Sequence, residues 1–337
     1  MDKLDDKAFQ NVINRKAFSI IIPVYNCEHT IDSFFKHFSL LDENCFEAIF
    51  IDDGSTDNTL SLLETKCKTY TNAHIIARSH QGVSAARNAG LKSAQGEYVL
   101  FLDCDDYFFP QVFDVLQEVI DENHADIIVF GARVNNYNPR FTLCDIEPRN
   151  VIYNEFDAKI LFEEVGARPY VWNCAYKLEF LRTNNILFDE DIYLGEDQLF
   201  QFTAFPKATK IQFIADKLYC YHYLQYDDSA MHEYLHNCEL HLVKHLDLID
   251  KSLCVLQTAN IIENVKNQLL GWIYELTNYD FRTLKHTKNY SIRLRKLLKR
   301  YKLTAKDWEV CFRTKIRFMS VLYPYLGSVI RFITLFK

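Results

Sequence analysis

Asp103-Cys104-Asp105-Asp106 sets three carboxylates at the end of the apolar run Tyr98–Leu102. Carboxylates this close raise one another's pKa unless a cation stands beside them. Hard cations such as Mg2+ and Mn2+ take carboxylate oxygens and also grip phosphate oxygens, so a diphosphate leaving group could be neutralised here. On an extended segment Asp103 and Asp105 project to one side, because strand side chains alternate. The pair is therefore expected to share one Mn2+ or Mg2+, with Asp106 beside it. A solvated acidic turn is the plain alternative for this cluster taken alone.

Two further groups have the right chemistry nearby. Asp52 and Asp53 precede Gly54-Ser55-Thr56-Asp57. Carboxylates at such a point can accept hydrogen bonds from a base N–H or a ribose hydroxyl. Helix capping accounts for Ser55 and Asp57, with Ser55 or Thr56 expected to cap, but not for Asp52 and Asp53. Arg87 sits one turn into the small-residue run Gly82–Gly90, where a guanidinium suits either phosphate contact or a structural ion pair.

The elements that must hold these groups follow from periodicity. Apolar runs at Phe18–Val24, Phe46–Ile51, His74–Ala77, Tyr98–Leu102 and Ala125–Phe130 read as strands. Helical spacing covers Thr30–Leu41, Val83–Ser93 and Pro110–Glu122. This alternation predicts βαβ units and a parallel, doubly wound α/β sheet, with ligands beyond the carboxyl ends of the strands. Those ends carry Tyr25-Asn26, Asp52-Asp53 and the acidic cluster, and three polar strand tips on one edge make a site. Beyond about residue 230 the pattern is helical, over Val243–Leu256, Ile261–Leu276 and Ser291–Tyr301. The expected organisation is an extension (1–16), a catalytic domain (17–230) and a helical region (231–337), with the boundary near 226–232.

The segments SIIIPVYN (19–26), IDDGSTDNT (51–59), GVSAARNAGL (82–91) and GEYVLFLDCDD (96–106), in this order, resemble family 2 glycosyltransferases of the GT-A fold. The resemblance runs on through Trp172, Tyr176-Lys177, Phe188, Gly195-Glu196-Asp197, Leu218–Tyr221 and Ser229. It implies a GT-A, Rossmann-like mixed and mainly parallel sheet flanked by helices. It also implies inverting, metal-dependent transfer from a nucleotide diphosphate sugar, UDP-sugar foremost, to a hydroxyl of a glycan acceptor in surface polysaccharide or glycoconjugate synthesis. Pro23, Tyr25, Asn26, Asp52, Asp53, Arg87, Asp103 and Cys104 fall in the nucleotide-holding segments, although Cys104 has no chemistry of its own to offer. Asp103 and Asp105 match the metal motif, with Asp106 and His222 as further candidate ligands. Asp197 matches the catalytic base, with Glu196 beside it; without the resemblance that pair reads as the start of a helix. Trp172 is a candidate platform for the acceptor sugar. A non-catalytic nucleotide-sugar-binding subunit is the alternative, but such a subunit should have lost these carboxylates. A nucleotidyltransferase or NAD enzyme is disfavoured because no GxGxxG or GxxxxGK[ST] loop occurs.

Composition bounds the rest. The chain has 337 residues, is 49% hydrophobic and carries a net charge of −7, enough for a large core. Residues 281–337 hold 15 Lys and Arg against 2 Asp and Glu, while the remainder holds 23 against 43. A basic tail on an acidic body points to an anionic partner, and its amphipathic stretch 293–302 to a membrane surface that would bring the site to a lipid-linked acceptor, with a protein-bound acceptor as the alternative. Nucleic acid is disfavoured, because the acidic body repels it. Ten scattered cysteines, no apolar leader and no long apolar span favour a reduced, cytoplasmic chain, peripheral on the inner face of the membrane.

Overall fold

The computed structural model describes residues 16–136, 145–167, 170–223, 238–283 and 288–303. Strands β1 (Phe18–Val24), β2 (Phe46–Asp52), β3 (Ala73–Ala77) and β4 (Tyr98–Phe101) alternate with helices α1 (Ile31–Phe38), α2 (Thr59–Cys67) and α3 (Val83–Ser93). After β5 (Tyr107–Phe108) come α4 (Val112–Asn123), β6 (Ile127–Asn136), β7 (Val151–Tyr153), α5 (Ile160–Glu163), β8 (Cys174–Lys177), α6 (Leu178–Thr183), α7 (Glu196–Ala204) and β9 (Ile211–Tyr223). The chain then turns helical: α8 (Cys238–Thr258), α9 (Lys266–Thr283) and α10 (Lys288–Arg300).

One sheet runs in the order β3-β2-β1-β4-β8-β6-β9-β5, with β7 also paired to β9. Its first four strands are parallel, as their apolar runs predict. Beyond β4 the sheet becomes mixed, as the resemblance implies. There β8 lies antiparallel to both β4 and β6, and β5 and β7 lie antiparallel to β9, giving the mixed sheet of the GT-A fold. Short strands such as Cys174–Lys177 carry no periodic signal that fixes direction, and their register is set by what they pack against.

Alternate side chains of β1 enter different cores. Ile20 and Ile22 join Phe34, Phe35 and Phe38 of α1 and Leu116 of α4 on one face. Ile21 joins the other face, in a cluster that continues through Phe200 of α7 to Leu248 and Leu253 of α8, Leu270 of α9 and Leu297 of α10. The helical segment thus shares the core of the sheet rather than burying its apolar stripe elsewhere. The expected boundary near 226–232 lies outside the described residues, as does Ser229.

That shared core corrects one expectation about the basic segment. Leu294, Leu297 and Leu298 of α10 are buried, so these leucines face protein, and of the described large apolar residues of this helix Ile292, 42% exposed, is left facing outward. Its Arg293, Arg295, Lys296, Lys299 and Arg300 remain on the outer surface. Residues 304–337 lie outside the described residues, and among those described no helix is long and apolar enough to cross a membrane.

Candidate active site

Every strand of the parallel half ends at the same edge, and each end delivers a polar group. The tip of β1 continues into Tyr25 and Asn26. Tyr25 is 44% exposed and stacks on His80 with ring centroids 4.2 Å apart. Asn26 accepts from the Thr56 N–H at 2.8 Å, while its own N–H donates to Ser55 Oγ at 3.0 Å. These bonds tie the β1 loop to the β2 loop. Helix α2 is capped at Asn58 rather than at Ser55 or Thr56, because Ser55 is committed to Asn26 and Asp57 accepts from the Thr59 N–H at 2.9 Å. Pro23 stays within β1, opposite Ile51.

The two aspartates at the end of β2 divide their roles. Asp53 is buried and accepts from the Gly82 N–H at 2.7 Å and the Gln81 N–H at 3.1 Å, with Arg78 Nε at 3.3 Å and His80 Nδ1 at 2.9 Å. Its carboxylate is consumed in holding the loop after β3. Gly54 lets that loop approach: its φ is +76°, and a Cβ there would meet the His80 nitrogen at 2.7 Å. Asp52 is 2% exposed and accepts from the Ser55 N–H through Oδ2, but its buried Oδ1 has no partner among the described residues. A buried acceptor without a donor is costly and rare in a folded protein. Asp52 rather than Asp53 is thus the carboxylate with a vacant position for a ligand N–H or hydroxyl.

At the end of β4 the extended reading of the acidic cluster is corrected. The strand stops at Phe101, and residues 103–106 form a turn closed by the Asp106 N–H to Asp103 C=O bond of 3.1 Å. Asp103 lies at the opening with its side chain 30% exposed, and Asp105 is likewise half-buried. Asp106 is turned inward and 1% exposed; it accepts from the Tyr219 hydroxyl and the His222 N–H, both at 2.6 Å. Burial, then the neighbouring Asp105 and Asp103, push its carboxyl well above the usual range. Asp106 therefore buttresses the turn against β9, with both of its carboxyl oxygens engaged in hydrogen bonds. Cys104 faces Cys27, and that thiol contact together with burial keeps its own thiol protonated. His222 joins the cluster through its backbone, while its ring lies 6.3 Å from that of Tyr107.

Opposite Asp103 stands the start of α7. Its N-cap is Gly195 with φ +79°, so Glu196 and Asp197 fill the first turn, where a helix dipole favours acids. A Cβ on Gly195 would lie 2.5 Å from a terminal methyl of Leu248 of α8, so a side chain there would displace that leucine as well as strain the backbone. Asp197 receives the Val171 N–H at 3.4 Å and the Arg87 guanidinium at 2.6 Å. Arg87, 3% exposed, also reaches Glu196 at 3.2 Å and Asp103 at 3.1 Å. Burial raises the Asp197 carboxyl to about 8, against the pull of Arg87 and with the push of Glu196 and Asp103.

Three carboxylates around one guanidinium, with Asp105 alongside, leave an excess of negative charge and only hard oxygen donors. That donor set fits Mg2+ or Mn2+. Among the described residues no three His, Cys, Asp or Glu side chains are arranged to hold a metal by themselves. Asp103 and Asp105 would be its protein ligands, with phosphate oxygens completing the shell, as is usual for Mg2+.

Trp172 is not an acceptor platform. It is 3% exposed, stacked between Tyr170 at 4.6 Å and Tyr219 at 4.5 Å, so both ring faces are covered. Tyr170 and Tyr221, both half-buried, stack on Trp172, the latter at 5.7 Å; burial and then Asp197 raise the Tyr170 hydroxyl, and burial and then Asp106 raise that of Tyr221. These two rings, together with Arg78 and His80 of the fourth strand tip, were missed in the sequence. The run Arg78-Ser79-His80-Gln81-Gly82 after a strand was the available signal. Nothing local marks Tyr170.

Residues 19–176 match the family described as Glycosyl transferase family 2. The chain is 31% identical over 206 residues to the uncharacterized glycosyltransferase EpsJ of Bacillus subtilis (strain 168), covering 60% of each. It is 28% identical over 284 residues to the poly(ribitol-phosphate) beta-N-acetylglucosaminyltransferase TarS of Staphylococcus aureus (strain Mu50), covering 82% of this chain but 46% of that one. The chain therefore spans about half to three fifths of the length of these relatives. In fold it superposes on the crystal structure of S. aureus TarS 1-349 in complex with UDP-GlcNAc with a TM-score of 0.64, at 23% identity, over 95% of this chain and 89% of that one. With the strand-end aspartates, the Gly195-Glu196-Asp197 turn and the mixed sheet in place, the chain carries over residues 19–176 a segment similar to glycosyl transferase family 2.

Proposed function

We propose that this chain is an inverting glycosyltransferase that moves a sugar from a nucleotide diphosphate sugar, UDP-sugars foremost, to a hydroxyl of a surface glycan or glycoconjugate. The observation that carries the reading is the convergence on one sheet edge of the vacant Asp52 acceptor, the Asp103/Asp105 pair and the Glu196-Asp197 turn. TarS, a relative, is named for N-acetylglucosamine transfer and has been crystallised with UDP-GlcNAc, which supports a UDP-linked donor here.

In this reading Tyr25 and Asp52 bind the nucleotide, the ring by stacking and the carboxylate by accepting from the base or ribose. Asp103 and Asp105 hold Mn2+ or Mg2+, whose contribution when bound is to neutralise charge on the departing diphosphate. Asp197 takes the proton of the acceptor hydroxyl. The freed oxygen attacks the anomeric carbon from the face opposite the diphosphate. The bond to the diphosphate oxygen breaks with its electron pair, and the nucleotide diphosphate leaves. An unusually high carboxyl pKa suits this step, because a base works best when its pKa lies near the working pH.

A donor screen tests this directly. UDP release is measured from several UDP-, GDP- and dTDP-sugars, with Mn2+ and with EDTA. Turnover with one donor class, abolished by EDTA, is expected; turnover undiminished by EDTA would remove the metal role of Asp103 and Asp105. Asp197→Asn is expected to keep nucleotide binding and lose about 100- to 10,000-fold in turnover, the usual worth of a positioned base.

The cationic face of α10 supports a second element of the proposal, a peripheral contact with an anionic membrane surface. With its leucines buried, α10 would be held there chiefly by charge.

A further inference from the structure

Asp197 ends an acidic segment, FDEDIYLGED (188–197), in which Asp189, Glu190, Asp191, Glu196 and Asp197 crowd together. Like charges this dense repel one another and favour an open, solvated chain unless other groups hold them. Here the segment is gripped by two helices. From α3, Asn88 Nδ2 donates to Phe188 C=O and Glu190 Oε1, and Asn88 Oδ1 accepts from the Phe188 N–H, each at 2.9 Å. From α8 come Lys244, Leu248 and Lys251, four and three residues apart and therefore on one helical face.

These three follow the segment turn by turn. Lys251 Nζ donates to Asp189 Oδ1 at 2.6 Å, Asp189 Oδ2 at 2.7 Å and Asp191 Oδ2 at 3.1 Å. Lys244 Nζ lies 3.4 Å over the Tyr193 ring. A terminal methyl of Leu248 stands 2.5 Å from where a Cβ on Gly195 would be. We infer that Lys251 is a positioning residue, the anchor by which the helical segment sets the place of Asp197, a role that presupposes the part proposed above for that carboxylate.

The local geometry shows how the anchor acts. Asp189 Oδ1 also accepts the Asp191 N–H at 3.0 Å, and Asp189 C=O accepts the Ile192 N–H at 3.2 Å. The turn that opens the segment is thus built around the carboxylate that Lys251 holds by both oxygens. The side chains of this pair are about one-third exposed, so the pair adds little to global stability, as is usual near a surface. Its effect is on where the segment lies, and hence on where α7 begins. Inversion is sensitive to that placement, because the base must meet the acceptor hydroxyl opposite the departing diphosphate.

The experiment compares wild type with Lys251→Met, which keeps the stem but loses the charge, and with Lys251→Arg, which keeps the charge, in the full-length protein. Amide hydrogen exchange reads residues 188–197, calorimetry reads UDP affinity with Mn2+, and UDP release with the donor found in the screen reads kcat and KM. In Lys251→Met the amides of this segment should exchange about tenfold faster, the worth of losing a hydrogen bond to a charged group. UDP Kd should stay within about 3-fold of wild type while kcat falls by about 10- to 100-fold, up to the scale of a 1 Å misplacement. Lys251→Arg should recover most of both losses, with melting temperatures little changed throughout. An unchanged kcat in Lys251→Met would overturn the inference, as would a loss that Lys251→Arg does not recover. Faster exchange spread over the whole protein would make Lys251 merely structural and overturn it too. Exchange needs no turnover, so a segment as protected in Lys251→Met as in wild type overturns the anchor even without a known donor. A wild type that binds UDP but releases none from any donor counts against the proposed function alone.

Discussion

At the scale of single residues, neighbouring identical side chains have unlike environments. Asp52 retains a buried oxygen with no partner among the described residues, whereas Asp53 is saturated by two backbone N–H groups, Arg78 and His80. Asp52→Ala is therefore expected to weaken nucleotide binding by about tenfold, the worth of one good hydrogen bond, while leaving the melting temperature nearly unchanged. Asp53→Ala should instead lower the melting temperature by releasing the loop after β3. Trp172→Ala is expected to cost about 3–5 kcal/mol of stability, as for other buried aromatic truncations, rather than to act on acceptor KM alone. Denaturant unfolding measures that difference. The raised Asp197 carboxyl makes a pH prediction with a definite sign. The base must be ionised to accept a proton, so kcat/KM should rise with pH through an acid limb above the usual carboxylate range, toward the value of about 8. A profile flat from pH 5 to 9 would remove Asp197 from the proton-transfer step.

At the scale of elements, position depends on contacts distant in sequence. Helix α7 carries both acidic residues, but its start is placed by Leu248 of α8 crossing Gly195 and by Trp272 Nε1 of α9 donating to Gln198 Oε1 at 2.8 Å. The helical segment therefore bears on the catalytic turn from behind. Gly195→Ala should cost about 1–3 kcal/mol by overpacking and shift α7, lowering turnover more than nucleotide affinity. Thermal unfolding and calorimetry on the same variant check both parts. The strand tips, by contrast, were legible in advance: Tyr25-Asn26, Asp52-Asp53 and Asp103 all follow apolar runs and all reach one edge. What the runs did not reveal was the turn at 103–106, because alternation along a strand says nothing about where the strand stops.

At the scale of the whole molecule, charge is divided between an acidic site and a cationic outer helix. Sedimentation with vesicles containing anionic lipid is expected to pull the chain down at low salt and release it near 0.5 M NaCl, since contacts of this kind are screened within a Debye length of about 10 Å at 0.1 M. Exchanging Lys296 and Lys299 for Glu should abolish the low-salt binding; undiminished binding would transfer the contact to another part of the chain. By itself the sequence determined the parallel half of the sheet, the edge that gathers its polar strand tips, and the acidic motifs and their resemblance to a family. Those depend on local periodicity and on residue types at fixed short spacing, which are read along the chain. The tertiary structure alone decided that Asp106 buttresses while Asp103 opens to the site, that Trp172 is core, and that Asp52 keeps the vacant acceptor. It alone joined Arg87 to carboxylates 16 and 110 residues away. Burial and pairing of this kind arise only when distant segments pack together, and a lone residue's type does not say which neighbour it will meet.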